Sequence, residues 1–119
     1  MAAARFACAQ LGKPYVWGGN GNPGFDCSGL TKAAYAAAGI TLPRVAQDQY
    51  NTGPLLPAGT PLQPGDLVFF GTSTTAIIHV GITLSPTDMI DAPDFNEVVR
   101  IDRIGHPVGA TRPEAGTAQ

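Results

Sequence analysis

An α+β domain, with helices packed on one face of an antiparallel sheet, is the fold this sequence predicts. Three observations predict it. The first half carries alanine-rich segments with apolar side chains at helical spacing, and the second half carries short apolar runs with period-two alternation. The two kinds of segment are separated along the chain rather than alternating, which is the pattern of α+β and not of a parallel α/β sheet. At 119 residues the chain is one domain, long enough to bury a real core.

The elements follow in order. Ala2 to Leu11 reads as a helix with Phe6 and Ala9 on one stripe; Gly12 ends it and Pro14 prevents its restart. Tyr15-Val16-Trp17 is a short aromatic segment running into a Gly/Asn/Pro-rich loop from Gly18 to Gly24, with Trp17 expected to pack and Tyr15 free to turn its hydroxyl inward. Asp26 is a good N-cap for a second helix that starts at Cys27 and runs through Thr31 to Ala38. Val45 to Tyr50 reads as a short third helix, followed by a proline-rich loop from Leu55 to Leu62. Pro64-Gly65-Asp66 is a turn that introduces a buried strand, Leu67 to Phe70, with Asp66 structural. Ile77 to Leu84, Met89 to Ala92 and Glu97 to Ile104 read as further strands, the last with one face in water. Residues 1–104 are expected to form the domain, and 105–119, rich in Gly, Pro, Ala and Thr, a flexible tail or linker.

Composition excludes several function classes. A net charge of −2, with lysine only at Lys13 and Lys32, argues against nucleic acid or an anionic membrane as partner. No stretch is long and apolar enough for membrane insertion. Met1 to Phe6 lacks a basic segment leading into an apolar core, so no signal peptide is expected there. Two cysteines make no disulfide framework; Cys8 reads as a small buried thiol in the first helix. Two histidines and two cysteines at these spacings do not resemble a metal site, and no phosphate-binding glycine loop is present, so no cofactor is implied.

The chemistry centres on Gly24-Phe25-Asp26-Cys27-Ser28-Gly29-Leu30. In the first turn of a helix the unpaired N–H groups and the positive dipole end favour an anion, and a thiolate is a nucleophile. Cys27 is therefore the candidate nucleophile. Of the two histidines, His79 lies inside a strand while His106 lies at the mouth of the loose tail, and a catalytic imidazole must be held rigidly. Alternation puts Ile78, Val80, Ile82 and Leu84 on the core face and Ile77, His79, Gly81 and Thr83 on the other. A lone strand histidine is more often a satisfied polar residue; the Asp-Cys motif and the shortage of other bases tip the balance toward catalysis. Asp91 is the natural third member. A five-residue connection from Leu84 to Asp88 would pair Thr83 with Met89 and make Asp91 a diagonal neighbour of His79 across the gap left by Gly81, whereas a four-residue one would put Asp91 on the opposite face. Asp94, Glu97 and Asp102 read as solvated.

Several segments together resemble the NlpC/P60 family of papain-like cysteine peptidases: Gly12-Lys13-Pro14-Tyr15-Val16-Trp17-Gly18-Gly19, Phe25-Asp26-Cys27-Ser28-Gly29-Leu30, Leu42-Pro43-Arg44, Pro64-Gly65-Asp66-Leu67-Val68-Phe69-Phe70, His79-Val80-Gly81-Ile82 and Met89-Ile90-Asp91-Ala92-Pro93. They run in the family's order over nearly the whole chain, with the closest look to actinobacterial cell-wall endopeptidases and phage lysin domains. The resemblance implies a papain-like fold and hydrolysis of peptidoglycan stem peptides, between D-isoglutamate and diaminopimelate or lysine. It also implies Cys27 as nucleophile, His79 as base and then acid, and Asp91 as orienting residue in a position that is often histidine. Tyr15, Asp26 and Ser28 match positions on the substrate side, with Tyr15 also supporting the oxyanion hole; Arg44 is given no site role. The implied protein is a monomer whose partner is peptidoglycan, secreted or acting in the cell wall, as a domain of a longer exported chain or a phage-delivered lysin. The rival functions are a catalytically silent peptidoglycan-binding module and an amidase or acyltransferase of the same fold.

Overall fold

The computed structural model describes residues 2–21 and 23–117; Asn22 in the glycine loop and the ends of the chain, Met1, Ala118 and Gln119, lie outside them. Three helices come first, α1 (Ala2–Ala9), α2 (Cys27–Ala37) and α3 (Ala46–Thr52). Five strands follow: β1 (Leu67–Gly71), β2 (Ile77–Thr83), β3 (Asp88–Asp91), β4 (Arg100–Arg103) and β5 (Gly109–Thr111), with a 3-10 turn over Pro113–Thr117. The strands form one antiparallel sheet in the order β4-β3-β2-β1-β5.

The core lies between the helices and one face of this sheet. Leu30, Ala34 and Tyr35 of α2 are buried against Leu67, Phe69, Val80, Ile82 and Ile90. Ala3 and Ala7 of α1 are fully buried, and side chains this small let the helix approach the layer closely. Phe6 and Phe25 meet edge to face at 6.5 Å, as do Tyr50 and Phe69 at 5.3 Å. Each large apolar side chain fully buried here contributes about 1.5–3 kcal/mol. Val68, Met89 and Ile104 form a smaller cluster on the opposite face.

Register decides which residues can meet. β2 pairs with β3 through Ile82–Ile90 and Thr83–Met89, as the five-residue connection requires. β4 continues the ladder with Asp91–Arg100 and Met89–Asp102. Residues directly opposite share a face. His79, Gly81, Met89, Asp91, Arg100 and Asp102 therefore lie on the face turned away from the aliphatic core, and Val80, Ile82 and Ile90 on the face turned into it.

Four expectations are corrected. Ile78 is 78% exposed while Ile77 is buried, because a bulge shifts the β1–β2 register from Phe70–His79 to Gly71–Ile77 and pushes Ile78 out of the ladder. Trp17 is 77% exposed: its neighbours take the structural positions, Tyr15 bridging to Phe25 and Val16 donating its N–H to the Phe25 carbonyl. The strand expected over 97–104 is confined to β4, and its Ile101 is half-exposed because no helix covers this edge. Part of the expected loose tail is ordered as β5, which pairs Leu67 with Thr111, Val68 with Ala110 and Phe69 with Gly109. Arg112 then clamps the buried Asp66 carboxylate at 2.8 and 2.9 Å, so the turn before β1 and the end of the chain hold each other. Asp66 also accepts from Gln63 N at 2.8 Å, in the structural role expected of it.

Candidate active site

Cys27 is the first residue of α2, and the cap that starts the helix is Asp26. Asp26 Oδ1 accepts the Gly29 N–H at 2.7 Å, and its backbone oxygen accepts that of Leu30 at 3.0 Å. Its second oxygen, Oδ2, takes the Gly18 N–H at 3.1 Å and the Arg44 guanidinium at 3.0 Å. One carboxylate thus fastens the glycine loop, the start of the helix and the segment before α3. Arg44 also donates to Ser28 Oγ at 2.9 Å and to the Gly19 carbonyl at 3.3 Å. Beneath, the buried Gln49 side chain donates to the carbonyls of Ser28 and Pro43, both at 3.0 Å, and accepts from Thr31 Oγ1 at 2.6 Å. Both cysteines are free thiols, and Cys8 is half-buried rather than fully enclosed.

Tyr15 stands over this turn. Its N–H donates to the Glu97 carbonyl at 3.0 Å and its ring meets Phe95 edge to face at 5.3 Å. Burial raises its hydroxyl's pKa, and negative charge at Cys27, Asp26 and Asp94 raises it further, while Arg44 works the other way. The hydroxyl is therefore held in its protonated, donating form.

His79 comes to the site from β2. Its Nε2 lies 2.8 Å from Asp91 Oδ2, so the diagonal contact expected from the hairpin register is made. A side chain at Gly81 would run into the Met89 sulfur and crowd Asp91 Cβ; its absence leaves the space in which the two meet. With Nε2 engaged, Nδ1 is the nitrogen left for Cys27. Burial works against the imidazolium, but Asp91 and the nearby Cys27 outweigh it and push the ring's pKa up to about 9. Folding therefore takes up a proton at His79 between its ordinary value of 6.5 and about 9. The resulting stabilisation is complete below pH 6.5 and lost as pH rises through 9. Unfolding free energies of the protein and a His79→Gln variant should then differ most at low pH and converge across that window; a constant difference would refute the ion-paired histidine.

Every residue singled out from the sequence lies here: Cys27, Ser28 and Asp26 around one helix turn, Tyr15 above it, and His79 with Asp91 on the adjoining sheet. Two residues were missed. Arg44, given no role, organises Asp26 and Ser28; its only signal was a lone arginine after Leu-Pro. Asp102, expected to be solvated, has a side chain only 29% exposed and is gripped by Arg100. Its signal was the alternation of Arg100 and Asp102 in register with Asp91.

Comparison with known proteins agrees with this fold. The model of the NlpC/P60 family matches residues 12–112. "Probable endopeptidase p60" of Listeria monocytogenes is 48% identical over 85 residues, 71% of this chain and 17% of that protein. "Peptidoglycan endopeptidase RipA" of Mycobacterium tuberculosis is 36% identical over 82% of this chain and 23% of its own length. This chain therefore spans about a fifth of each of these relatives. Among solved structures, the NlpC/p60 domain of the peptidoglycan hydrolase SagA superposes with a TM-score of 0.83 at 33% identity, covering 92% of this chain and 95% of that one. An NlpC/P60 family protein from Bacillus cereus gives 0.86 at 32% identity, over 94% and 39% of the two chains.

Proposed function

This chain belongs to the NlpC/P60 family, and from that premise and the geometry of its site we propose that it is a cysteine endopeptidase of peptidoglycan stem peptides, cutting between D-isoglutamate and diaminopimelate or lysine. The observation that carries the reading is His79, fixed at 2.8 Å by Asp91 on one side and facing the Cys27 thiol on the other. The name of the relative RipA, a peptidoglycan endopeptidase, supports the substrate class, and that of p60 the endopeptidase activity.

The proposed reaction is acyl transfer. His79 takes the Cys27 proton, and the sulfur attacks the scissile carbonyl carbon. Of the first-turn N–H groups, those of Gly29 and Leu30 are taken by Asp26, so those of Cys27 and Ser28 serve the developing oxyanion, with the Tyr15 hydroxyl as a third donor. The imidazolium then protonates the leaving amine as the C–N bond breaks, leaving a thioester on Cys27. His79 next removes a proton from water, whose oxygen attacks the thioester, and the acid product leaves as the thiol is restored. Asp91 keeps the ring oriented throughout. Arg44 and Asp26 set the substrate-side wall on which Ser28 and Tyr15 stand. The enzyme acts as a monomer in the cell wall, where its substrate lies.

Digestion of purified diaminopimelate-type peptidoglycan, with the protein alkylated by iodoacetamide as control, tests this. New fragments ending at D-isoglutamate, absent after alkylation, are expected. Release of fragments cut at another bond would overturn the bond assignment, and no release would overturn the endopeptidase reading.

A further inference from the structure

Asp91 has one oxygen that the catalytic arrangement does not use. Oδ2 meets His79, but Oδ1 is buried and receives no N–H or O–H among the described residues. The side chain is 2% exposed, so bulk water does not reach it. An unpaired charged oxygen in such a place costs more than an unpaired neutral group would. Another acid stands on the same face: Asp102, diagonal to Asp91 across the β3–β4 ladder, with its carboxyl within hydrogen-bonding reach of the Asp91 carboxyl.

Two acids in hydrogen-bonding contact disfavour double ionisation, so one of them retains a proton that the two share. The surroundings say which acid keeps it. Arg100 Nε reaches both oxygens of Asp102, at 3.0 and 2.9 Å, and is itself anchored by Nη1 to Glu97 at 3.0 Å. Asp102 is thereby held ionised: burial opposes this, but its bonds to Asp91 and Arg100 keep its pKa low. Asp91 is pushed the other way, by burial first and by Asp102 besides, against the pull of His79. The charged groups facing Asp91 are thus His79 from β2 and Arg100 and Asp102 from β4, with Glu97 behind Arg100.

We propose that Asp102 is a positioning residue for the His79–Asp91 couple. Its carboxylate, clamped by Arg100, accepts the Oδ1–H of Asp91, and the two acids share one proton. Asp91 Oδ2 then accepts from His79 Nε2–H, and every oxygen of the buried acid is satisfied. The carboxyl plane is fixed from behind, and the ring it holds is fixed with it. The pair carries a single negative charge, enough to stabilise the imidazolium without placing two bare carboxylates together. This rests on the reading of Cys27, His79 and Asp91 as the catalytic set, but its test needs no peptidoglycan.

Two substrate-free measurements decide it: the carbon-13 NMR titration of the Asp91 carboxyl, and the rate at which iodoacetamide alkylates Cys27 as a function of pH. Asp102→Ala should cut alkylation at neutral pH by about tenfold, as loss of orientation does. Asp102→Asn, whose amide can donate to Asp91 Oδ1, should restore the rate to within about twofold. In that variant Asp91 should also titrate about one pH unit lower than in the unaltered protein, since its amide favours the carboxylate where Asp102 favoured the acid. Should Asp102→Ala fail to fold, the titration of Asp102→Asn alone decides. Identical Asp91 titration in the unaltered protein and Asp102→Asn, or unchanged alkylation in Asp102→Ala, would reduce Asp102 to a surface partner of Arg100. Failure to cleave peptidoglycan would leave these readouts intact, so the two hypotheses fail separately.

Discussion

Replacing Cys27 with alanine is expected to abolish peptidoglycan cleavage, by at least about 10⁴-fold, with no loss of thermal stability. The bond-forming atom is the sulfur, and among the described residues no other thiol, hydroxyl or carboxylate near His79 is placed to take over: Ser28 Oγ is held by Arg44 and Asp91 by His79. Because nucleophile and base act as a unit, a Cys27→Ala/His79→Ala double variant should be no slower than either single one. Additive losses would mean that the two side chains contribute to separate steps. Residual cleavage within about tenfold of the unaltered protein would remove Cys27 from the chemistry altogether. The melting temperature must be measured alongside, since Cys27 is half-buried and its loss leaves the Asp26 cap untouched.

Changing Gly29 to alanine is expected to destabilise the protein by on the order of 3 kcal/mol, roughly a 10 °C fall in melting temperature. Inside a helix the same change ordinarily stabilises, by about 1 kcal/mol. Here the sign reverses because the new methyl would land on the Gly19 carbonyl oxygen and lie 2.8 Å from Asp26 Oδ1. The Gly19 oxygen is not free to retreat: it accepts the Asp26 N–H and an Arg44 N–H, both at 3.3 Å. Displacing it opens the cradle around Cys27, so activity should fall with stability. A melting temperature equal to or above that of the unaltered protein would show that the glycine loop is more yielding than its hydrogen bonds imply.

The helix-then-strand order, the Asp26 cap, the β2–β3 register and the His79–Asp91 contact were all legible in the sequence. Each is encoded locally, by composition, a capping side chain, loop length or period-two alternation. The Ile78 bulge was not, since an extra residue in one strand leaves no mark when only that strand is read. Trp17 misled because size and aromaticity suggest burial, whereas its exposure depends on its neighbours being the ones paired to Phe25. β5 was hidden because three residues, Gly109, Ala110 and Thr111, carry too little apolar pattern to announce a strand; its partner β1 and the Arg112–Asp66 clamp hold it. Arg44 and Asp102 escaped for a related reason. Their roles come from residues 18 and 11 positions away, and nothing adjacent in the chain points to those contacts.

The sulfur belongs to the helical layer and the imidazole to the sheet, so neither layer alone contains the reactive pair. Local openings follow such pieces. A partly folded molecule that has closed only its hairpins, or only its helices, is chemically inert. On the proposed reading, hydrolytic power would arrive only when the two layers dock and be lost when they part. Activity would then serve as a direct gauge of how much of the population is fully assembled.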